Sequence, residues 1–408
     1  MFGFARAFPP ARRPHDLRQS GLLVLAGLLT ALGILMVMVK LSRLVRDSGP
    51  FGAIAIGFLH EVTRHWWEGV PVYAVHRGGV VQPPAAWILL GPLFAWTSLD
   101  VARWIWAAAA LAGLGALGAA AATAVWNRGQ LARVCAWLAP FSMPALGDAL
   151  GIGSLITVLL PLAVWAVLLA VRRAPTWSRD LAIAGMFVMA LTDPSLTLMF
   201  FWPLLFAVGR FRPAILAIGG YAILTIAAAY GHPSDFRADI RLWFEHVQRQ
   251  AGTGYGNLQD WLLLLGLERA FLPASAVLLA STAVFSWWCQ RRDIWLLLGI
   301  AAIVSRLWMA PRIDHDALLI IPLMALARLA SSQVASKNIV ACARAALGML
   351  GVVLSVPLNF HFSGSTFGPF VVEPSWVRLF DAVHVAAAIV ALGVLVASTL
   401  GSRRASMA

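Results

Sequence analysis

Between Gly21 and Val39 the chain runs for 19 residues without a charged side chain, GLLVLAGLLTALGILMVMV, and stops at Lys40. A helix of that length is about 28 Å long, close to the hydrocarbon thickness of a bilayer. No water reaches the backbone there, so such a run must satisfy its own hydrogen bonds as a helix. Comparable apolar stretches recur at 85–96, 100–126, 134–145, 154–171, 181–192, 195–209, 213–230, 274–288, 294–308, 317–329, 339–356 and 377–400. The pattern predicts an all-α polytopic membrane protein with about ten to twelve transmembrane helices.

Composition agrees. The chain is 60% hydrophobic and 12% charged, where soluble domains carry about 25% charged residues. The net charge of +13 does not point to nucleic acid, because the basic residues stand in short clusters at span ends, where the positive-inside rule places them. Cys135, Cys289 and Cys342 lie in or beside apolar stretches without CxxC spacing, so neither a disulfide nor a metal site is expected. No cofactor is expected either. Tryptophans such as Trp66-Trp67 and Trp287-Trp288 sit where interface belts form.

The expected layout is a cytoplasmic tail at 1–19, a single membrane domain at 20–400, and a cytoplasmic tail at 401–408. The first span is too long for a cleaved signal and reads as a signal anchor. The domain carries a first periplasmic loop at 41–84 and a second large one at 231–270. The setting is a bacterial inner membrane with both termini inside. Basic clusters near 172, 210, 291, 337 and 403 then all fall inside. In the first half, five apolar stretches separate the N-terminus from Arg172, and an even number of crossings is required. One stretch must be re-entrant. The proline-broken Val134–Ala145 is favoured over Ala85–Trp96, which places Arg128 and Arg133 outside.

Ionisable residues near membrane depth are candidates for function. The first loop carries Arg46, Asp47, His60, Glu61, Arg64, His65, Glu68, Tyr73, His76 and Arg77, its stretch 51–67 reading as one or two interfacial helices. Further groups are Asp193, the set from His232 to Asp260 that includes Asn257, and Arg312 with Asp314, His315 and Asp316. All fall on the outer side of the expected topology. Bland readings stand beside each. Glu61, with polar neighbours at helical spacing, fits the solvated face of an interfacial helix. Asp193 before Pro194 fits a helix N-cap. The 312–316 cluster fits a loop salt bridge, and 236–249 fits a second interfacial helix.

Several stretches resemble the polyprenyl-phosphate-sugar-dependent glycosyltransferases of family 87, which have the C-type membrane fold. Gly69 and PVYAVHRGGVVQPPAAWILLGPLFAWTSLDVARWIW look like that family's G-x-P-x-Y…Y-P-P…W segment. FSMPALGDALGIGSLITVLL, LTDPSLTLMFFWPLLFAVGRFRP and PRIDHDALLIIPLMALAR are similar to three later segments. The chain departs from the pattern at Asp193, where the family has Lys, at Asp148, where it has Gln, and in the spacing of the first-loop acid.

The resemblance implies transfer of a sugar from a polyprenyl-phosphate donor to a glycolipid or polysaccharide acceptor at the periplasmic face, beside membrane lipid. It implies a first-loop acid as general base, for which Glu61 and Asp47 are the candidates. Arg64, His65, Tyr73, Asp193, Asn257, Arg312 and His315 are the expected substrate-binding residues, Arg through its planar fork to phosphate. The alternative functions are a non-catalytic membrane subunit of a cell-envelope polysaccharide assembly system and a lipid or sugar transporter. The transporter is disfavoured by spans nearly free of mid-depth charge and by the lack of internal repeats.

Overall fold

A computed structural model describes residues 14–46, 53–76, 80–172, 175–206, 211–249, 256–308, 313–333, 335–355 and 374–404. Among them there are helices and no strands. The order is α1 (Pro14–Arg46), α2 (Ile54–Trp67), α3 (Val72–Val75), α4 (Pro84–Phe94), α5 (Leu99–Ala124), α6 (Gln130–Ser142), α7 (Pro144–Ile152), α8 (Ile156–Arg172), α9 (Trp177–Ala190) and α10 (Pro194–Thr197). Then come α11 (Phe201–Phe206), α12 (Phe211–Gly231), α13 (Phe236–Arg249), α14 (Leu258–Leu264), α15 (Phe271–Trp288), α16 (Ile294–Trp308), α17 (Ile320–Ala330), α18 (Lys337–Leu354) and α19 (Pro374–Arg404), with a 3-10 segment at Ile313–Leu319 ahead of α17.

Six of these helices are long and apolar enough to cross a membrane, and up to eight spans result if each bent pair, α7 with α8 and α9 with α10–α11, counts as one. The chain is an all-α multi-pass membrane protein. One face of α1 carries Leu25, Leu28, Leu32, Leu35 and Val39, all exposed. A water-soluble protein would cover such a stripe, whereas lipid tails solvate it.

Local signals set the boundaries. Pro84 and Pro144 stand at the first positions of α4 and α7, where a missing N–H costs nothing. Ser98 and Thr176 cap α5 and α9. Asp193 caps α10, its carboxylate accepting from the Ser195 N–H at 3.2 Å, in line with the cap reading. Close packing of α5 rests on its small residues. A Cβ at Gly118 would lie 2.5 Å from the Trp137 carbonyl, and one at Gly113 would collide with the Thr157 carbonyl.

The helices run between two chemically different ends. At the basic end Arg128 donates to the Ser331 carbonyl, Arg328 reaches the Ala124 carbonyl at 3.2 Å and pairs with Asp293, and Arg212 pairs with Asp180 at 3.3 Å. At the polar end α2, α3 and α13 lie beside the turns 81–83 and 95–98, and Gln82 links the first of these to Asp193. His60 meets the Thr97 carbonyl at 2.9 Å, Trp243 donates to the Val81 carbonyl at 2.7 Å, and Trp66 stacks on His232.

This arrangement reverses the expected choice of re-entrant stretch. Helix α6 starts near the basic end, with Cys135 against the Leu22 carbonyl, and Phe141 then packs beside Gly33. Gly147 and Gly151 of α7 pack on Met36 and Lys40. From Leu22 to Lys40 is about 27 Å along α1, so α6 and α7 together traverse the bundle. Pro144 restarts the helix where Pro140 weakens it. By contrast α4 begins just after Gln82 and ends just before Thr97, both at the polar end, and lies along α2 with Trp67 donating to the Trp87 carbonyl at 3.0 Å. Residues 85–96 therefore return to the end they left. Arg128 falls at the basic end, together with Arg212 and Arg328.

Candidate functional site at the polar end

Helix α2 divides its side chains sharply. Ile56, Leu59, His60, Val62, Thr63 and Trp66 are buried, while Glu61, Arg64 and Glu68 are exposed and His65 is half-buried. The 3.6-residue period does this, because positions four apart share a face. Glu61 and His65 are such a pair. Gly69, at φ +81, ends the helix in a conformation that glycine reaches without steric cost, and the chain returns through α3 to bring His76 back over α2. His65 Nδ1 lies 3.0 Å from His76 Nε2, and the Phe58 ring packs edge-on against His76 with centroids 6.0 Å apart. One ligand-type atom each from Glu61, His65 and His76 all fall within 4.8 Å of one another. Burial pulls the His76 imidazole below its ordinary value, with Glu61 acting the other way and His65 adding to the depression. Its neutral form is favoured.

The other expected site residues fare differently. Arg64 stands on the same exposed face, 3.2 Å from Glu68. Tyr73 is 1% exposed. Its hydroxyl donates to the Gln82 carbonyl at 2.8 Å and accepts from Trp87 Nε1 at 3.0 Å. Burial, opposed by the Trp87 bond, holds its phenol well above the ordinary range. Asp193 is buried in its cap, 3.5 Å from Gln82 Nε2. Asn257 is buried and caps α14, accepting from the Asp260 N–H at 3.0 Å and donating to its carboxylate at 2.5 Å. His315 is buried beside Asp316. Tyr73, Asp193 and Asn257 are engaged in the scaffold, whereas Glu61 and Arg64 are exposed and His65 is half-buried against His76. Asp47 and Arg312 lie outside the described residues, as do Arg77 and Tyr255 and the side chain of Asp314.

Two buried ion pairs join residues that the sequence did not pair, although Asp316 belongs to the 312–316 group and Asp148 to the departures from the family pattern. Lys40 pairs with Asp148, and Arg306 pairs with Asp316 at 2.5 Å while donating to the Gly256 carbonyl at 3.2 Å. The available signal was a charged residue at the rim of an otherwise apolar stretch, which is costly to bury without a partner. His76 was read only as one of many loop polar residues. Its partnership with α2 depends on the turn at Gly69.

The polar end thus defines a multi-pass membrane protein with a solvent-facing acid–imidazole cluster above a buried polar layer. In comparisons with protein-family models, curated proteins and solved structures, no match is found.

Proposed function

We propose that the chain is a membrane glycosyltransferase, moving a sugar from a polyprenyl-phosphate-linked donor to a glycolipid or polysaccharide acceptor. It would work at the periplasmic face of a bacterial inner membrane, in a C-type fold whose expected count of about ten to twelve spans requires shorter apolar helices such as α16 to cross beside the six to eight that are long enough. The positive-inside rule assigns the basic end to the cytoplasm and the polar end to the outside. The family-87 resemblance supplies the donor class and rests on the stretches quoted above.

The observation that carries the reading is the exposed Glu61 carboxylate on α2, with half-buried His65 and His76 beside it and Arg64 on the same face. In the proposed step Glu61 takes the proton of the acceptor hydroxyl. The hydroxyl oxygen forms a bond to the anomeric carbon, and the bond from that carbon to the phosphate oxygen breaks. The phosphate leaves with the electron pair, and the protein's work is to position the acceptor and to stabilise the departing charge. Arg64 suits that second task. Its exposed pairing with Glu68 is worth about 0.3–0.5 kcal/mol, and a phosphate would draw the guanidinium away through stronger, bidentate bonds.

Profiling glycolipids and polysaccharides in strains carrying Glu61→Gln and Asp47→Asn tests this. Loss of a product in the Glu61 strain is expected, and retention of wild-type product in both strains would overturn the catalytic assignment. The non-catalytic subunit remains the second reading. It is favoured by Tyr73, Asp193 and Asn257, whose polar groups are engaged within the scaffold.

A further inference from the structure

We propose that Glu61, His65 and His76 form a binding site for a divalent transition-metal cation of the Zn2+ class, with one coordination position left open to solvent. The proposal goes beyond the transferase reading and depends on it at no step.

Three features carry it. The first is convergence. Glu61 and His65 project from adjacent turns of one rigid helix, and His76 arrives from a separate segment 11 positions further on, so the donors meet because the fold brings them together. A four-coordinate ion with metal–nitrogen bonds near 2.0–2.1 Å holds its ligand atoms about 3.3 Å apart. His65 Nδ1 and His76 Nε2 stand 3.0 Å apart in a hydrogen bond, a spacing close to that, and the carboxylate lies within 4.8 Å of both; a cation would displace the shared proton, the two rings turning to aim their lone pairs at it.

The second is donor chemistry. Two imidazoles and one carboxylate are the ligand set of hydrolytic zinc centres, and borderline nitrogen donors favour Zn2+, Co2+ or Ni2+ over Mg2+ or Ca2+. No thiol joins them. Cys135 and Cys289 are buried elsewhere, and Cys342 is exposed on α18.

The third is placement. Glu61 is exposed while both rings are half-buried. A cation can enter, and its fourth position faces out of the protein toward water, a hydroxyl or a phosphate oxygen. Phe58 braces the His76 ring, the kind of support that fixes a ligand's orientation. Neighbouring polar groups are otherwise committed. His60 points inward to the Thr97 carbonyl, and Glu68 pairs with Arg64. With a cation bound, the Glu61 carboxylate would be held as a ligand, and activation of the acceptor hydroxyl would fall to the ion, which lowers the pKa of a bound hydroxyl.

The test uses the full chain in detergent or nanodiscs, with Co2+ as the probe and Zn2+ as competitor, and needs neither donor nor acceptor. One equivalent of Co2+ is expected, with the visible absorption of a low-coordinate nitrogen–oxygen site that Zn2+ abolishes. His65→Ala, His76→Ala and Glu61→Gln should each weaken binding by at least about tenfold, on the scale of known metal-site variants. Cys342→Ser should change nothing. Should a ligand variant aggregate, His76→Gln, which keeps size and polarity, is read instead after circular dichroism confirms its helix content. Lack of Co2+ bands in the wild type would overturn the proposal. So would equal binding by the wild type and the Glu61→Gln, His76→Gln double variant, which would mark an adventitious surface site. Either failure leaves the transfer assay untouched, and wild-type product in the Glu61→Gln and Asp47→Asn strains, with Co2+ binding intact in the unsubstituted chain, would count against the transferase reading alone.

Discussion

Lys40 and Asp148, 108 positions apart in the chain, form an ion pair buried where α1 meets α7. The pair ties the polar end of the first span to the short helix that turns the chain into α8. Taking two charges out of water is expensive, and their mutual attraction repays it only while both are present. Asp148→Ala leaves the ammonium buried alone and should lower stability by about 3–5 kcal/mol, as should Lys40→Ala. The double substitution Lys40→Met, Asp148→Leu should recover most of that loss. Thermal unfolding of the purified protein in detergent, read across all variants, checks the cycle. A double variant no more stable than either single one would show that the pair does more than neutralise itself.

A contrast within α5 tests the helix packing. A Cβ at Gly113 meets the Thr157 carbonyl and the Pro161 ring, whereas Gly115 has nothing within 4 Å of its Cβ position. Gly113→Val should force α5 and α8 apart and cost about 1–3 kcal/mol or more, in line with overpacked cores. Gly115→Ala should be neutral or stabilising by up to about 1 kcal/mol through helix propensity. Melting temperatures of the two variants give the answer, and similar effects at both positions would contradict the packing described.

Tyr73 predicts an alkaline limit at the polar end. Its buried phenol has a raised pKa. Below about 10, the ordinary phenol value, the group is neutral whether the chain is folded or unfolded, and its full contribution is present. As pH rises further the unfolded chain ionises while the folded one resists, so that contribution is lost toward the folded-state pKa. Tyr73→Phe removes the titrating group together with its bonds to Gln82 and Trp87. The variant should be less stable at neutral pH and should lose less stability than the wild type between neutral and strongly alkaline pH. Parallel slopes for the two proteins would sink the assignment.

The fold class was legible because it depends on hydropathy, which the sequence displays directly. Residues 21–39 can be nothing but helix in lipid. The cap at Asp193 and the amphipathic helix ending at Trp67 were legible for the same local reason, since a Pro-started turn and a 3.6-residue period need no knowledge of neighbours. The site was legible only in part. Glu61 and His65 advertise themselves by i,i+4 spacing, but His76 joins them only through a positive-φ turn at Gly69. Tyr73 and Asn257 look like ligand-binding groups until their partners, Gln82, Trp87 and Asp260, are known. Burial is a property of the packed bundle, and composition does not reveal it.

The chain path through the first half makes the last prediction. Proline content singled out 134–145 as the non-crossing stretch, because prolines interrupt backbone hydrogen bonding. A short helix nonetheless restarts at Pro144, with α1 alongside to cover the break. With α4 returning to the polar end instead, Asn127 and Asn338 share one end of the molecule, while Glu68 and Asp100 share the other. All four are exposed. Single cysteines at these positions, placed in a Cys342→Ser background to silence the exposed native thiol, should label with a membrane-impermeant maleimide in two groups. Glu68→Cys and Asp100→Cys should react in intact cells or sealed spheroplasts. Asn127→Cys and Asn338→Cys should react only after the membrane is opened. If 134–145 were the re-entrant stretch, Asp100 and Asn127 would exchange groups, so those two positions decide between the paths. Labelling of Asn127→Cys alongside Glu68→Cys would overturn the path described, and with it the assignment of Arg128 to the basic end.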